Sequence, residues 1–85
     1  MLYLGIDVSK AKLDCCLLID PQTPKRKNKT VANTRAGVAE LVAWLARHGA
    51  PATQVHAVLE GTGVYHEQAA LGLYENSVTV SIVNP

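Results

Sequence analysis

Leu2-Tyr3-Leu4-Gly5-Ile6-Asp7 is an apolar run that closes on a carboxylate, and Val55-His56-Ala57-Val58-Leu59-Glu60 repeats the pattern in the second half of the chain. Runs of this length and composition read as buried strands. A carboxylate at the end of a buried strand is costly unless it is paired, hydrogen-bonded or bound to a cation. Asp7 and Glu60 therefore each have either a partner or a chemical task. If the two strands are parallel neighbours, both acids emerge at one edge of the sheet, where open α/β sheets place their ligands. A divalent-metal site at Asp7 and Glu60 is the expectation.

Outward from these two runs the remaining elements follow. Ser9 to Lys12 is a turn short enough for an antiparallel hairpin into a second apolar strand, Leu13 to Ile19. Asp20-Pro21-Gln22-Thr23-Pro24 is turn chemistry, and Lys25 to Asn33 reads as a polar edge strand whose lysines discourage pairing with other chains. Thr34 is an N-cap for a helix running to about Arg47, with Val38, Leu41, Val42 and Leu45 as its apolar stripe and Gly49 as its stop. Trp44 lies off that stripe and is expected to be partly exposed. Thr62 is a second cap, for a helix through Val64, Ala69, Leu71 and Leu73 that ends near Asn76. Val78 to Val83 is the last strand. The order is β-β-β-α-β-α-β: a meander, then two right-handed crossovers that return strands parallel to the first.

With 85 residues the chain suffices for one small domain, which buries roughly 60–70% of the surface its unfolded form exposes. The hydrophobic share of 48% excludes a disordered chain, and a net charge of +1 makes no case for or against nucleic acid. No apolar stretch reaches a membrane span and no secretory leader is visible, so no membrane contact and a cytoplasmic location are expected. Cys15 and Cys16, adjacent on a strand, point to opposite faces and cannot staple the fold. Reduced thiols suit a reducing compartment.

Four stretches in order narrow the reading: Gly5-Ile6-Asp7-Val8-Ser9-Lys10, then Asn33-Thr34 with Gly37, then Glu60-Gly61-Thr62-Gly63-Val64-Tyr65-His66, and finally Val83-Asn84-Pro85. Together they resemble the N-terminal part of the RuvC-like DEDD domain of bacterial insertion-sequence-110 transposases, relatives of the Piv invertase. The resemblance covers essentially the whole chain. It implies an α/β, ribonuclease H-like fold with a mixed five-stranded sheet, incomplete because the C-terminal helix with the remaining acidic ligands is absent. Residues 1–85 are then the N-terminal portion of a transposase domain that cuts and joins DNA phosphodiesters. In the family, four acidic residues hold two magnesium ions, and Asp7 matches the first aspartate and Glu60 the glutamate. The family continues past this point with two further aspartates and a domain carrying a serine nucleophile, so a longer protein is expected and this fragment alone should be inactive. A guide RNA, a homo-oligomer and a bacterial cytoplasm are further implications.

Other residues carry two readings each. Lys10, just past the first carboxylate, can neutralise a scissile phosphate or simply be solvated. Lys25, Arg26, Lys27 and Lys29 form the one basic cluster, suited to phosphate contacts and equally to a solvated edge strand. Gly61-Thr62-Gly63 can offer N–H groups to a phosphate or merely start a helix. His66 can move a proton or contact DNA, or be structural; His48 and His56 have no partner in sequence. Asp14 is not assigned to the metal site. Two other functional classes stay open: an actin-like or sugar-kinase-like nucleotide-binding half-domain, against which Lys10 counts because small residues stand there, and a non-catalytic assembly module. ATP binding would mark the first, and a strict monomer would count against the second.

Overall fold

Alternation along the first strand sets the architecture. Leu4 and Ile6 are buried, while Tyr3, Gly5 and Asp7 between and beyond them are exposed. The computed structural model describes every residue except Asp20, Pro21, Thr23, Pro24, Thr62 and Pro85. The expected turn from Asp20 to Pro24 and the cap at Thr62 therefore fall largely outside the described residues. The elements are β1 (Leu2–Val8), β2 (Lys12–Leu18), β3 (Arg26–Ala32), α1 (Arg35–Arg47), a 3-10 turn (Ala52–Gln54), β4 (Val55–Glu60), α2 (Tyr65–Glu75) and β5 (Thr79–Val83). They follow the expected order, with strand boundaries within a residue or so of those read from the sequence.

The strands form one sheet in the order β3-β2-β1-β4-β5. The meander pairs antiparallel, and β4 joins β1 and β5 in parallel. A two-residue turn, Lys10-Ala11, closes the first hairpin: the Ser9 N–H donates to the Lys12 carbonyl at 3.0 Å. Both helices lie on the face of Leu4 and Ile6, α1 against β3 and α2 against β4 and β5. Leu4, Leu13, Leu17, Leu41, Leu45, Leu59 and Leu73 are essentially free of solvent there, and each buried leucine stabilises by about 1.5–3 kcal/mol. Cys15 shares this core, and its burial, with the Asp14 charge adding, pushes its thiol pKa up to about 12. Cys16 faces the other side, and both thiols are free.

Among the described residues no helix covers that opposite face. It carries Tyr3, Gly5 and Asp7 of β1, Asp14 and Cys16 of β2, and His56, Val58 and Glu60 of β4. His56 holds this surface together near the start of β4, with its ring 5.5 Å from that of Tyr3 and its Nε2 2.6 Å from Ser81 Oγ.

Helix α1 begins as expected: Thr34 Oγ1 accepts from the Gly37 N–H at 3.0 Å, a cap of about 1 kcal/mol. It ends at Gly49, whose φ of +78° only glycine adopts without strain. Its buried stripe differs from the expected one. Gly37, Val38, Leu41, Trp44 and Leu45 face the core, and Trp44 is 7% exposed. The stripe is rotated toward Gly37, which registers no hydrophobicity yet marks the closest approach: a Cβ there would lie 1.8 Å from the Ala32 carbonyl oxygen. In α2 the buried residues are Ala69 and Leu73, one turn apart. Leu71 points away and is 59% exposed, and Val64 precedes the helix.

Gly37→Ala forces backbone against backbone and is expected to destabilise by at least about 2 kcal/mol. Urea unfolding followed by the fluorescence of Trp44 measures the loss.

Candidate metal centre

The parallel register of β1 and β4 runs from Leu2 beside Val55 to Ile6 beside Leu59. One residue further stand Asp7 and Glu60, which places the two carboxylates side by side at the C-terminal ends of adjacent strands. Both lie on the open face and both are exposed. Adjacent strands are about 4.8 Å apart, so two carboxylates at one level can reach a single ion. With Gly5, Val58 and Val83 they line a shallow groove, and Gly5 keeps its floor clear, since a Cβ there would meet nothing within 4 Å. Neither carboxylate has a hydrogen bond or ion pair among the described residues.

A third carboxylate reaches this row. Asp14 is the register partner of Asp7 across the hairpin and so shares its face. Its side chain is already engaged: Thr30 Oγ1 donates to Asp14 Oδ1 at 2.7 Å, and Lys12 Nζ lies 3.8 Å from Oδ2. A two-residue turn at Lys10-Ala11 sets this register, so hairpin arithmetic on the sequence suffices to bring Asp14 opposite Asp7. Among the described residues no group of three or more potential ligands closes around one point. The donor chemistry of Asp7 and Glu60 suits a hard divalent cation such as magnesium, and the pair supplies part of a coordination shell.

Asn33, a motif residue in the link between β3 and α1, ties this end of the sheet together. Its Nδ2 donates to the carbonyls of Ser9 at 2.9 Å and Tyr65 at 3.0 Å, and its backbone N–H donates to Ala11. Among the described residues its Oδ1 is buried without a partner, as is Nδ1 of His66; a buried polar group left unsatisfied costs about 1–3 kcal/mol. His66, in the first turn of α2, is half-buried, and its Nε2 is 3.8 Å from where a Cβ on Gly61 would lie. The Gly61 N–H is spent on the Val83 carbonyl at 2.9 Å, so it is not free for a phosphate.

Lys10 sits exposed at the hairpin tip, at the same sheet end as Asp7 and Glu60. The basic cluster divides between the two faces of β3. Lys27 and Lys29 share the helix side of β3 with Val31, where Lys27 Nζ meets His48 Nδ1 at 3.1 Å and Lys29 pairs with Glu40 at 3.8 Å. Arg26 points to the open side, and Lys25 precedes the strand, exposed.

A mixed sheet in this order, with its helix pair on one face and carboxylates at the adjoining ends of β1 and β4, defines a ribonuclease H-like domain of the RuvC type. Among solved structures the chain is similar to Thermus thermophilus RuvC in complex with Holliday junction substrate, with a TM-score of 0.66 at 14% identity, covering 100% of this chain and 65% of that one. It is also similar to the fowlpox virus Holliday junction resolvase, with a TM-score of 0.61 at 15% identity, covering 100% of this chain and 62% of that one. The family model of the DEDD transposases of the insertion-sequence-110 type, described as "Transposase", matches residues 4–85. The chain belongs to this transposase family. The pilin gene-inverting proteins of Moraxella lacunata and Moraxella bovis are each 34% identical to it over 83 residues, which is 98% of this chain. The chain spans 25% of the length of each.

The contact between Lys27 and His48 has a pH signature. Partial burial, with Lys27 and Arg47 adding repulsion, holds His48 below the ordinary histidine value of 6.5. The unfolded chain then takes up the proton more readily than the folded one, so stability falls as pH drops below about 6.5. His48→Gln is expected to flatten that part of the slope in urea midpoints measured between pH 5 and 7.5.

Proposed function

We propose that residues 1–85 are the N-terminal portion of the catalytic domain of a DNA transposase that cuts and joins DNA phosphodiesters, with Asp7 and Glu60 as two of its magnesium ligands. The observation that carries this reading is the placement of Asp7 beside Glu60, exposed and unpaired among the described residues, at the C-terminal ends of parallel neighbours. Two unpaired acids at one level repel each other, and a shared cation relieves that repulsion. Membership in the transposase family supports the reaction class. The likeness in fold to RuvC, solved in complex with a Holliday junction substrate, favours branched DNA as the substrate class.

Bound there, magnesium would supply Lewis acidity toward phosphate oxygens and an activated nucleophile. Asp7, between β2 and β4, would be the more central ligand and Glu60 the second. Lys10, at the same sheet end, would meet a phosphate backbone, with Lys25 and Arg26 as the more available members of the basic cluster. Lys27 and Lys29 would first have to leave His48 and Glu40. We place a homo-oligomer and a guide RNA in the same proposal on family grounds alone.

Manganese, as a paramagnetic stand-in for magnesium, tests the ligand assignment in the 85-residue chain. It is expected to bind weakly and to broaden the amide resonances of residues 5–8 and 58–61 first. Asp7→Asn and Glu60→Gln should each lower the affinity about tenfold or more. Broadening centred elsewhere, or unchanged in both variants, would overturn the assignment.

A further inference from the structure

The ladders around the two carboxylates leave a gap between them. On one side, pairing of β1 with β2 continues past Asp7 to Val8 and Leu13. On the other, pairing of β4 with β5 continues to Glu60 and Val83. Between β1 and β4 themselves the pairing stops at Ile6 and Leu59. Asp7 and Glu60 are thus each fixed to an outer neighbour, and the parallel ladder does not reach across the space that separates them.

Asn33 spans the segments that follow. Ser9 belongs to the turn that leaves β1 directly after Asp7 and Val8, and Tyr65 opens α2, the element that follows Glu60. One amide group donates to both carbonyls, at 2.9 and 3.0 Å, while the Asn33 backbone N–H holds Ala11 at 3.0 Å. Both side-chain acceptors are carbonyl oxygens, so only the NH2 can face them and the orientation of the amide is settled by chemistry. Among the described residues the remaining oxygen, which is buried, has no partner.

We propose that Asn33 is a positioning residue for the metal pair: by clasping the turn after β1 to the first turn of α2, it sets the spacing of Asp7 and Glu60 where their own ladder has ended. The inference rests on the metal reading of that pair and adds to it a residue that touches neither the ion nor the substrate. It also accounts for the motif position of Asn33 immediately before Thr34. The two residues have separate tasks, since Thr34 caps α1 and Asn33 faces the hairpin turn and α2.

The test compares Asn33→Ala and Asn33→Asp with Thr34→Ala in the 85-residue chain. Asn33→Asp is nearly isosteric and replaces the donor with an oxygen that both carbonyls repel, and Asn33→Ala removes the group without adding charge. Thr34→Ala removes the helix cap one residue away and serves as the purely structural control. Both Asn33 variants are expected to weaken manganese binding about tenfold, as loss of an orienting partner commonly does, and to make the broadening at Asp7 and Glu60 unequal. Thr34→Ala should lower the unfolding midpoint and leave the affinity unchanged. Equal weakening by Thr34→Ala, or unchanged affinity in both Asn33 variants, would overturn the proposal. If the unsubstituted chain shows no manganese effect at the pair, the metal reading itself fails. The clasp is then judged in the metal-free spectrum, where Asn33→Ala must shift the Asp7 and Glu60 amides together and a shift at only one of them rejects it.

Discussion

The parallel pairing of β1 with β4 is the contact on which the rest of the molecule depends. It joins an antiparallel meander to two crossover units and makes one sheet of them. It buries Leu4 and Ile6 beside Ala57 and Leu59 at the centre of the core. Because side chains alternate along each strand, the register that buries those residues also turns Asp7 and Glu60 to the opposite face. A slip of one residue on either strand would bury a carboxylate and expose a leucine, a double cost that fixes the register. The site and the core are thus two readings of one alignment.

The faces of the sheet are unequal as a result. One is covered by α1 and α2, which meet the strands through leucines, valines and Trp44, and which approach closely where Gly37 meets the Ala32 carbonyl. The other holds the polar and small residues, Asp7, Asp14, Gly5, Cys16 and His56, among which a few apolar atoms lie. Charges on that face avoid the desolvation that would accompany burial. Asp14 shows how the neighbourhood sorts its acids. Held by Thr30 and Lys12, it is committed to the sheet, while Asp7 and Glu60 on the next strands have no such partner among the described residues.

Much of this was legible in the residues. The apolar runs before Asp7 and Glu60, the cap at Thr34 and the stop at Gly49 are local signals, and local chemistry decides strands, caps and stops. The alternation of Cys15 and Cys16 followed from strand geometry alone. Trp44, expected to be partly exposed, is buried because a stripe counted from side-chain hydrophobicity passes over glycine, and Gly37 is where α1 comes nearest the sheet. The partners of Asn33, His48 and His56 were beyond reach for a different reason. Their side-chain hydrogen-bond partners lie between 21 and 32 residues away along the chain, the Tyr3 ring beside His56 is farther still, and only the assembled topology brings them close. The basic cluster looked like one patch in sequence, and strand alternation splits it between two environments.

The strand order also has a consequence for how the chain is made. During synthesis β1, β2 and β3 emerge first and can zip as a local meander, yet β1 then sits at the border of that half-sheet with its backbone groups open. Its true neighbour β4 lies far downstream, and pairings between distant segments form slowly because the intervening loop must be closed first. The nascent protein therefore carries an unfinished edge at its own centre until Glu60 has left the ribosome. The pocket between Asp7 and Glu60 is among the last features of this fold to come into being.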